Sequence, residues 1–339
     1  MTTVFASASE TYDIAGIRED LTSLIYDISP TETPFFMMCG RGTATSTRHD
    51  WQMDVLAAAD GTLAQPEGER RTLTGDFEVP VATIRPFNYT QINSKSISVT
   101  GTTEAVNKAG RASELSFQLA KRSKEMKRDM EATCFTNQAS VLGSIGVARQ
   151  TASVISAFSD VFYIGGPANP AGNAHTNRSG STDNTSGWTP ATGTWDVEGG
   201  VSVARALLES DLKSVIQAAW TNGGDPTTIM AGPFNKTVIS GFTGNSTRFD
   251  RGEDKRLVAA IDVYVSDFGE HRVIPNRFSR ASDVYAFTPE LWSLCYLRPF
   301  RQHALAKVGD AEDRTILAEW CLEIANQSGN GIVADLTTA

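Results

Sequence analysis

The sequence lacks the residue groupings that mark metal and redox sites. Its 339 residues include four cysteines and four histidines. These are Cys39, Cys134, Cys295 and Cys321, and His49, His175, His271 and His303. Because the cysteines form no CxxC pair, we interpret them as free thiols of a reducing compartment. Zinc sites are recognised by closely spaced ligands, so the scattered histidines are interpreted as surface or sheet residues, and no metal is predicted.

An excess of positive charge is also missing. Thirty basic and thirty-nine acidic side chains give a formal net charge of −9. Nucleic-acid binders neutralise phosphates with concentrated Lys and Arg. The charge balance therefore argues against nucleic acid as the principal ligand, although it does not exclude a basic patch on one face.

Targeting and membrane segments are absent as well. The N-terminal sequence MTTVFASASETYD has no basic patch followed by an apolar run, as a signal peptide requires. No apolar stretch approaches the roughly 20 residues of a membrane span. We therefore expect the chain to fold in the cytoplasm and to have no membrane partner.

The common catalytic motifs are not found. There is no glycine-rich phosphate or dinucleotide loop, no HExxH and no GxSxG. The triplet Asp267-Phe268-Gly269 matches a kinase motif but lacks the accompanying lysine and catalytic loop, and a turn explains Gly269. Carboxylate pairs such as Glu67/Glu69 lie in polar stretches, where they are expected to be solvated surface groups and not a general acid and base. The sequence predicts neither an enzyme nor a cofactor site.

What the sequence does contain begins with an extended arm at residues 1–45. Apolar residues recur at helical spacing between Ile14 and Tyr26, and prolines at 30 and 34 then disfavour helix. Residues 35–38 form an apolar cluster of the sequence FFMM. Such a cluster needs a surface to lie on, either on its own chain or on a neighbour.

Residues 46–92 carry the clearest strand pattern. Apolar and polar residues alternate from Arg48 to Val55 and again from Phe77 to Tyr89, which is the period of a half-buried strand. The polar loop 60–76 between them favours antiparallel pairing. A two-stranded ribbon is marginally stable without a surface beneath it. We therefore predict a projecting arm that packs on another subunit.

A long helix is predicted over residues 103–137, with Gly110 as its weak position. Its apolar stripe comprises Ala105, Ala109, Ala112, Leu115, Leu119, Met126, Met130 and Cys134. Its middle is basic, with Lys121, Arg122, Lys124, Lys127 and Arg128 against a single acidic residue. One interpretation is a solvated face with Lys121/Glu125 and Lys127/Glu131 pairs. The other is an electrostatic contact with DNA or with an acidic neighbour.

The second half of the chain has a mixed pattern. Residues 143–200 are loose in composition, and the Gly/Asn/Ser-rich insertion at 165–195 cannot form a core. A helix is predicted over 206–221, a strand at 229–231, a short helix after Pro233, and a hairpin of 261–265 with 272–274. In the strand 316–324, alternation would place Glu319 and Glu323 on the solvent face. The fold class is α+β.

Several stretches resemble a family of phage head proteins. They are TYDIAGIREDLTSLIYDISPTETPFF, KRSKEMKRDMEATCFTNQA, TTIMAGPFNKTVISGF, VYVSDFGEHRVIPNRF and the C-terminal run from LWSLCYLRPF onward. The order of elements resembles the capsid fold shared by tailed-phage major capsid proteins, the herpesvirus capsid floor and encapsulins. The insertion at 165–195 departs from this pattern.

The resemblance implies a subunit that self-assembles into hexamers and pentamers of an icosahedral shell around double-stranded DNA, and so a virion protein assembled in the host cytoplasm. It implies an N-terminal arm (1–45), an extended hairpin loop (46–92), a spine helix and peripheral domain (93–205), an axial domain (206–282) and return strands of the peripheral domain (283–339). Portal, scaffold and cement proteins would be further partners, and DNA would be contacted weakly and non-specifically.

The site residues that follow are assembly residues. We hypothesise that one set forms the buried face of the arm: Trp51, Met53, Phe77, Val79 and Phe87. A second set at the arm's tip would form ion pairs between capsomers: Glu67, Glu69, Arg70 and Arg71. Burial of apolar area at roughly 25 cal/mol per Å² would favour assembly.

Two other functions stay open on the sequence. An encapsulin-like nanocompartment would share the fold but hold protein cargo instead of DNA. A cytoplasmic hydrolase with an unrecognised site would behave as a monomer or small oligomer.

Overall fold

The computed structural model describes residues 32–54, 83–158, 205–242 and 262–338, together with positions 56, 59, 61, 64, 67–68, 163–164, 188–189 and 194–195. Its helices are α1 (Pro34–Met38), α2 (Gly101–Ala105), α3 (Glu114–Phe135), α4 (Glu209–Thr221) and α5 (Pro233–Ser240). The first seven strands are β1 (Gly40–Thr43), β2 (Arg48–Asp50), β3 (Phe87–Tyr89), β4 (Gln91–Thr100), β5 (Tyr163–Ile164), β6 (Trp188–Thr189) and β7 (Thr194–Trp195). The remaining strands are β8 (Thr228–Ala231), β9 (Val263–Ser266), β10 (Gly269–Pro275), β11 (Val284–Phe287), β12 (Trp292–Ala304), β13 (Ala311–Ile324) and β14 (Gly331–Val333).

The strands form two main sheets, and the predicted α+β class is confirmed. The four-stranded sheet has the order β1-β12-β13-β4. Its long antiparallel pair β12–β13 is flanked by β4, antiparallel to β13, and by β1, parallel to β12. The six-stranded sheet has the order β5-β14-β11-β8-β10-β9. Two further pairs, β2–β3 and β6–β7, stand outside these sheets.

An aromatic core joins the two sheets to α1 and α3. Phe35 of α1 lies 5.2 Å from the ring centre of Phe135 and 5.6 Å from that of Trp292, both in edge-on contacts, a geometry that aromatic pairs prefer. Tyr285 and Phe287 of β11 stack in the same cluster. The apolar cluster at 35–38 therefore packs on its own chain, with Phe35 and Phe36 buried.

A second core lies between the six-stranded sheet and the helices α4 and α5. It comprises Leu207, Leu212, Val215, Ile216, Ile229, Ala231, Ile239, Tyr264, Val273, Val284, Ala286, Val333 and Leu336. The predicted elements of this region are confirmed, except that α4 begins at Glu209 and not at Ala206. Leu208 has an extended backbone at the start of α4, and the Asp211 carboxylate there pairs with Arg205.

The predicted long helix over 103–137 is wrong in its first third. The chain forms the short α2, leaves helical geometry at Val106, and begins α3 at Glu114. Gly110, between the two helices, has φ +76°, a left-handed conformation that is incompatible with a continuous helix. The Ser113 hydroxyl then accepts a hydrogen bond from Ser116 N as the N-cap of α3. Of the predicted stripe, Met126, Met130 and Cys134 are buried, Leu115 and Leu119 are half-buried, and Ala105, Ala109 and Ala112 are exposed.

The remaining predictions concern the cysteines, the loose segments and membrane spans. All four cysteines are free, as predicted, and the structure shows in addition that they are buried. Residues 151–158 contribute to the aromatic core, so this part of the predicted loose region 143–200 is not a surface loop. The amphipathic stretch 14–26 and most of the insertion 165–195 lie outside the described residues. Within the part of the chain that the structure describes, no helix has the length and apolar character to span a membrane.

Candidate functional site

The lower part of the predicted arm is an antiparallel ribbon. Backbone hydrogen bonds link Thr90 N to Thr47 O at 2.9 Å, and Met53 and Ile84 bond each other in both directions at 2.8 Å. Between them, β2 pairs with β3 in the same register. We call residues 47–53 and 84–90 the ribbon base. The predicted hairpin is confirmed for this base.

The upper part of the arm is described at few positions. Leu56 is 91% exposed, and Glu67 is exposed. The other predicted residues of this part, Glu69, Arg70, Arg71, Phe77 and Val79, lie outside the described residues. Their proposed roles therefore stay predictions.

The two faces of the ribbon base differ in what they contact. Residues directly opposite each other in a ladder share a face. Trp51 and Ile84 lie on the inner face, where they pack against the aromatic core of their own chain. Phe87 is paired with Asp50 and lies on the outer face, where the Arg48 guanidinium lies 3.9 Å from its ring centre. The prediction that Phe87 shares a face with Trp51 is wrong, because the pairing register decides the face.

Asn88 links the ribbon base to the edge of β13. Strand β4 pairs with β13 only as far as Trp320, so the next part of that edge has no strand partner. Asn88 Nδ2 donates to Leu322 O at 2.7 Å and to Thr151 Oγ1 at 3.0 Å, while its Oδ1 accepts from Ala152 N at 2.9 Å. Asn88 is fully buried. One side chain thus satisfies backbone groups of two segments that would otherwise be unpaired.

Glu319 is a second link between β13 and the ribbon. Its Oε1 accepts from Thr90 Oγ1 at 2.8 Å and from Arg149 Nη2 at 2.5 Å, and its Oε2 accepts from Arg298 Nε at 2.7 Å. Burial acts to raise the pKa of Glu319, but the hydrogen bonds from Thr90 and Arg298 and the two guanidinium charges outweigh burial and lower it. Glu319 is only 2% exposed, so its predicted place on the solvent face is wrong.

Glu323 is the third link and contacts two residues at once. Its Oε2 lies 3.0 Å from His49 Nε2 on the ribbon and accepts from Cys295 Sγ at 2.7 Å. The hydrogen bond from His49 is the main cause that lowers the pKa of Glu323. Burial, and then the bond to Glu323, raise the pKa of the Cys295 thiol. Alternation along β13 did separate its two faces, but the face with both glutamates is covered by the ribbon base.

The basic stretch of α3 has an exposed edge. Lys121, Lys124 and Lys127 are exposed, whereas Arg122 and Arg128 are half-buried. The Arg128 guanidinium lies 5.6 Å from the ring centre of Phe278. The stretch thus presents three lysine side chains to solvent at three-residue spacing.

The ion pairs expected on this helix are not the ones observed. Arg122, and not Lys121, contacts Glu125, at 2.6 Å. Glu131 is fully buried, whereas Lys127 is exposed. Its carboxylate accepts from the backbone N–H groups of residues 35 and 36, at 3.0 and 2.7 Å, and from Asn276 Nδ2 at 2.7 Å. Burial raises the pKa of Glu131 despite these hydrogen bonds. The prediction of Lys121/Glu125 and Lys127/Glu131 pairs is wrong.

A further surface was missed by sequence reasoning. The segment 141–150 turns back on itself through the bridges Val141–Gln150 and Ser144–Val147. Leu142, Ile145 and Val147 are exposed at its tip. Most of the segment lies in the loose region 143–200, where apolar residues form no periodic pattern. No pattern in the sequence therefore indicated this surface. Arg149 at its base contacts Glu319.

Comparison with known proteins agrees with the resemblance to phage head proteins, both in family and in fold. A family model described as "SU10 major capsid protein" matches residues 1–337. The major capsid protein of Escherichia phage Phieco32 is 27% identical, and the alignment covers 95% of each chain.

Three solved structures share the fold at low sequence identity. The capsid asymmetric unit of cyanophage A-1(L) has a TM-score of 0.64 at 12% identity and covers 97% of this chain and 99% of its own. A structure from Gordonia phage Cozz has a TM-score of 0.59 at 9% identity and covers 100% and 98%. The capsid of a native GTA particle has a TM-score of 0.57 at 9% identity, with 98% coverage of both chains. These likenesses show a common fold.

Proposed function

The chain belongs to the SU10 major capsid protein family, and from this premise we propose that it forms the hexamers and pentamers of an icosahedral head around the double-stranded DNA of a tailed phage. As a phage major capsid protein, it is a structural component of the virion capsid. The comparisons support neither the encapsulin-like nanocompartment nor the hydrolase. The single observation that carries the proposal is the family match over residues 1–337.

The arm, residues 46–92, is proposed to extend over the neighbouring subunit. Its base is held on the chain's own β13 by Asn88, Glu319 and Glu323, so it leaves the body in a defined direction. Beyond the base, Leu56 is almost fully exposed, and an apolar side chain in that position gains stability when a neighbour covers it. The tip residues Glu67, Glu69, Arg70 and Arg71 are proposed to form ion pairs between capsomers.

The remaining segments are assigned on the same premise. Residues 1–45 would be the N-terminal arm, with 34–43 held on the body by α1 and β1. Helix α3 would be the spine helix of a peripheral domain at 93–205, and 206–282 would form the axial domain near the capsomer centre. Residues 283–339 would return to the peripheral domain. Strands β8 to β11 form one sheet across the 282/283 boundary, so these two segments are expected to move together.

The lysines of α3 are proposed to contact packaged DNA weakly. Lys121, Lys124 and Lys127 are exposed along one stretch of the helix. Lysine side chains bind phosphates without sequence preference and release counterions. The overall negative charge of the subunit opposes tight binding, which suits a shell that must release its DNA. Portal, scaffold and cement proteins are proposed as further partners.

Deletion of residues 60–76 tests the proposed role of the arm. The variant is expected to retain the melting temperature of the unassembled subunit, because the ribbon base and both cores are untouched. It is expected to lose closed shells in electron micrographs, because the neighbour contact is gone. Normal shells from this variant would contradict the proposed arm. Loss of the melting transition would show instead that the loop is needed for folding, and shell formation would then be tested with charge-reversal variants of Glu67 and Arg70.

A further inference from the structure

We infer that His49, Cys295 and Glu323 form a binding site for one divalent cation of the zinc class at the ribbon base. The three side chains come from three separate segments: the ribbon, β12 and β13. One donor atom of each lies within 4.8 Å of the other two. All three side chains belong to one subunit, so cation binding does not depend on assembly of the proposed shell.

The donor geometry suits a single centre. His49 Nε2 and Cys295 Sγ both lie within hydrogen-bond distance of the same atom, Glu323 Oε2, at 3.0 and 2.7 Å. Zn²⁺ binds nitrogen, sulfur and carboxylate oxygen at about 2.0–2.3 Å in a tetrahedron, so its ligand atoms stand roughly 3.3–3.8 Å apart. The present triangle needs only small side-chain rotations to reach that spacing.

The donor set also selects the kind of ion. Imidazole and thiolate are ligands of zinc and similar transition ions, whereas calcium and magnesium take oxygen ligands. The side chain of Glu323 is 26% exposed and that of His49 is 17% exposed, while Cys295 is buried. A cation can therefore enter from the carboxylate side, and a water molecule can occupy the fourth position.

Binding would replace the hydrogen bonds of the triangle with stronger metal–ligand bonds. The Cys295 thiol would release its proton to solvent and bind as thiolate. The charges of the thiolate and of the Glu323 carboxylate would balance the two positive charges of the ion. The structural consequence would be a cross-link between the ribbon base and both long strands of the four-stranded sheet.

Cobalt titration of the full-length, chelator-treated and reduced subunit tests the inference. One equivalent of Co²⁺ is expected to produce the near-ultraviolet charge-transfer band of a thiolate–cobalt bond, and Zn²⁺ is expected to remove that band by competition. Zn²⁺ should also raise the melting temperature, since the assembled site binds it more tightly than the unfolded chain does. Cys295→Ser should abolish the band, and Glu323→Gln should weaken affinity at least tenfold.

Cys321→Ser is the matched control. Cys321 is a buried cysteine that lies directly opposite Cys295 in the ladder but is not one of the three ligands. The control should keep the cobalt band and the stabilisation by Zn²⁺. A wild-type titration without a saturable band would overturn the inference, as would equal bands in Cys295→Ser and wild type. If Cys295→Ser does not fold, His49→Asn provides the second variant, and an unchanged affinity there would overturn the inference equally.

Discussion

The side chain of Asn88 donates a 2.7 Å hydrogen bond to the carbonyl oxygen of Leu322. The two residues lie in the arm and in β13, far apart in the sequence. This bond occurs where β4 has ceased to pair with β13, so a side chain takes over the role of a neighbouring strand. The relationship places the origin of the arm on the body of its own subunit.

Replacing Asn88 with alanine should destabilise the unassembled subunit by about 2–4 kcal/mol, since several buried backbone groups lose their partner. Chemical denaturation measures the free energy of unfolding. Asn107→Ala, at an exposed position between α2 and α3, is the control and should change it by less than about 0.5 kcal/mol. Equal effects of the two substitutions would show that the Asn88 contacts contribute nothing.

Glu319→Gln should make the free energy of unfolding less dependent on pH. The pKa of Glu319 is lower in the folded state, so its contribution is present above the unfolded pKa of about 4.3 and is lost as pH falls through the folded pKa. At pH 7 the variant should be less stable by about 1–3 kcal/mol, because the partly exposed arginines lose a charged partner. Near pH 3 the difference should shrink.

The comparison requires unfolding curves of wild type and variant at both pH values. Glu312→Gln, at a half-exposed position on the same strand, controls for the loss of one negative charge. A difference that stays constant from pH 7 to pH 3 would contradict the assigned pKa direction.

Glu131→Ala should loosen α1 from the body. The substitution leaves two backbone N–H groups of α1 and the Asn276 amide without an acceptor, at a cost of about 2–4 kcal/mol. Hydrogen exchange at residues 35 and 36 should accelerate accordingly. Glu125→Ala on the same helix is the control, because it removes only a partly exposed ion pair with Arg122. In this control the amides of residues 35 and 36 should exchange at the wild-type rate. Slow exchange in Glu131→Ala would contradict the role of this carboxylate.

Replacing Lys121, Lys124 and Lys127 together with alanine should weaken DNA binding by the subunit. Each lost phosphate contact makes the slope of log affinity against log salt less negative by about 0.9, so the loss of three contacts makes it less negative by about 2.7. The slope is measured with a short DNA duplex at several salt concentrations. The control with the same charge change is Lys213, Arg301 and Lys307 to alanine. Equal slopes for the two triple variants would exclude a specific role of the α3 lysines.

Elements with a local signal were predictable from the sequence. The hairpin of β9 and β10 follows from alternation around Asp267–Gly269, and Gly269 does adopt a positive φ of 136° at the turn. The ribbon base follows from the alternation of residues 48–53. Helix α5 begins at Pro233, where a proline at the first turn is favoured. In each of these cases the pattern and the turn residues lie within one short segment.

Features that depend on distant segments were not predictable. Alternation along β13 separates Glu319 from Trp320 but cannot show that the arm covers the glutamate face. The face occupied by Phe87 depends on a pairing register that the long intervening loop leaves open. Asn88 resembles any solvent-facing polar residue of a strand until Leu322 and Thr151 are placed beside it. The His49–Cys295–Glu323 group was missed for the same reason, since its members have no common spacing.

In a closed head, residues 46–92 are expected to begin and end on their own subunit, with the loop between lying on a neighbour. Electron cryomicroscopy of virions that contain this chain, at a resolution that traces the backbone, shows where this loop lies. We predict icosahedral shells in which the chain leaves the body after Met53, continues over the adjacent subunit through residues 60–76 and returns to the body at Ile84. A map in which the same residues fold back over their own subunit, with no contact to a neighbour, would contradict it.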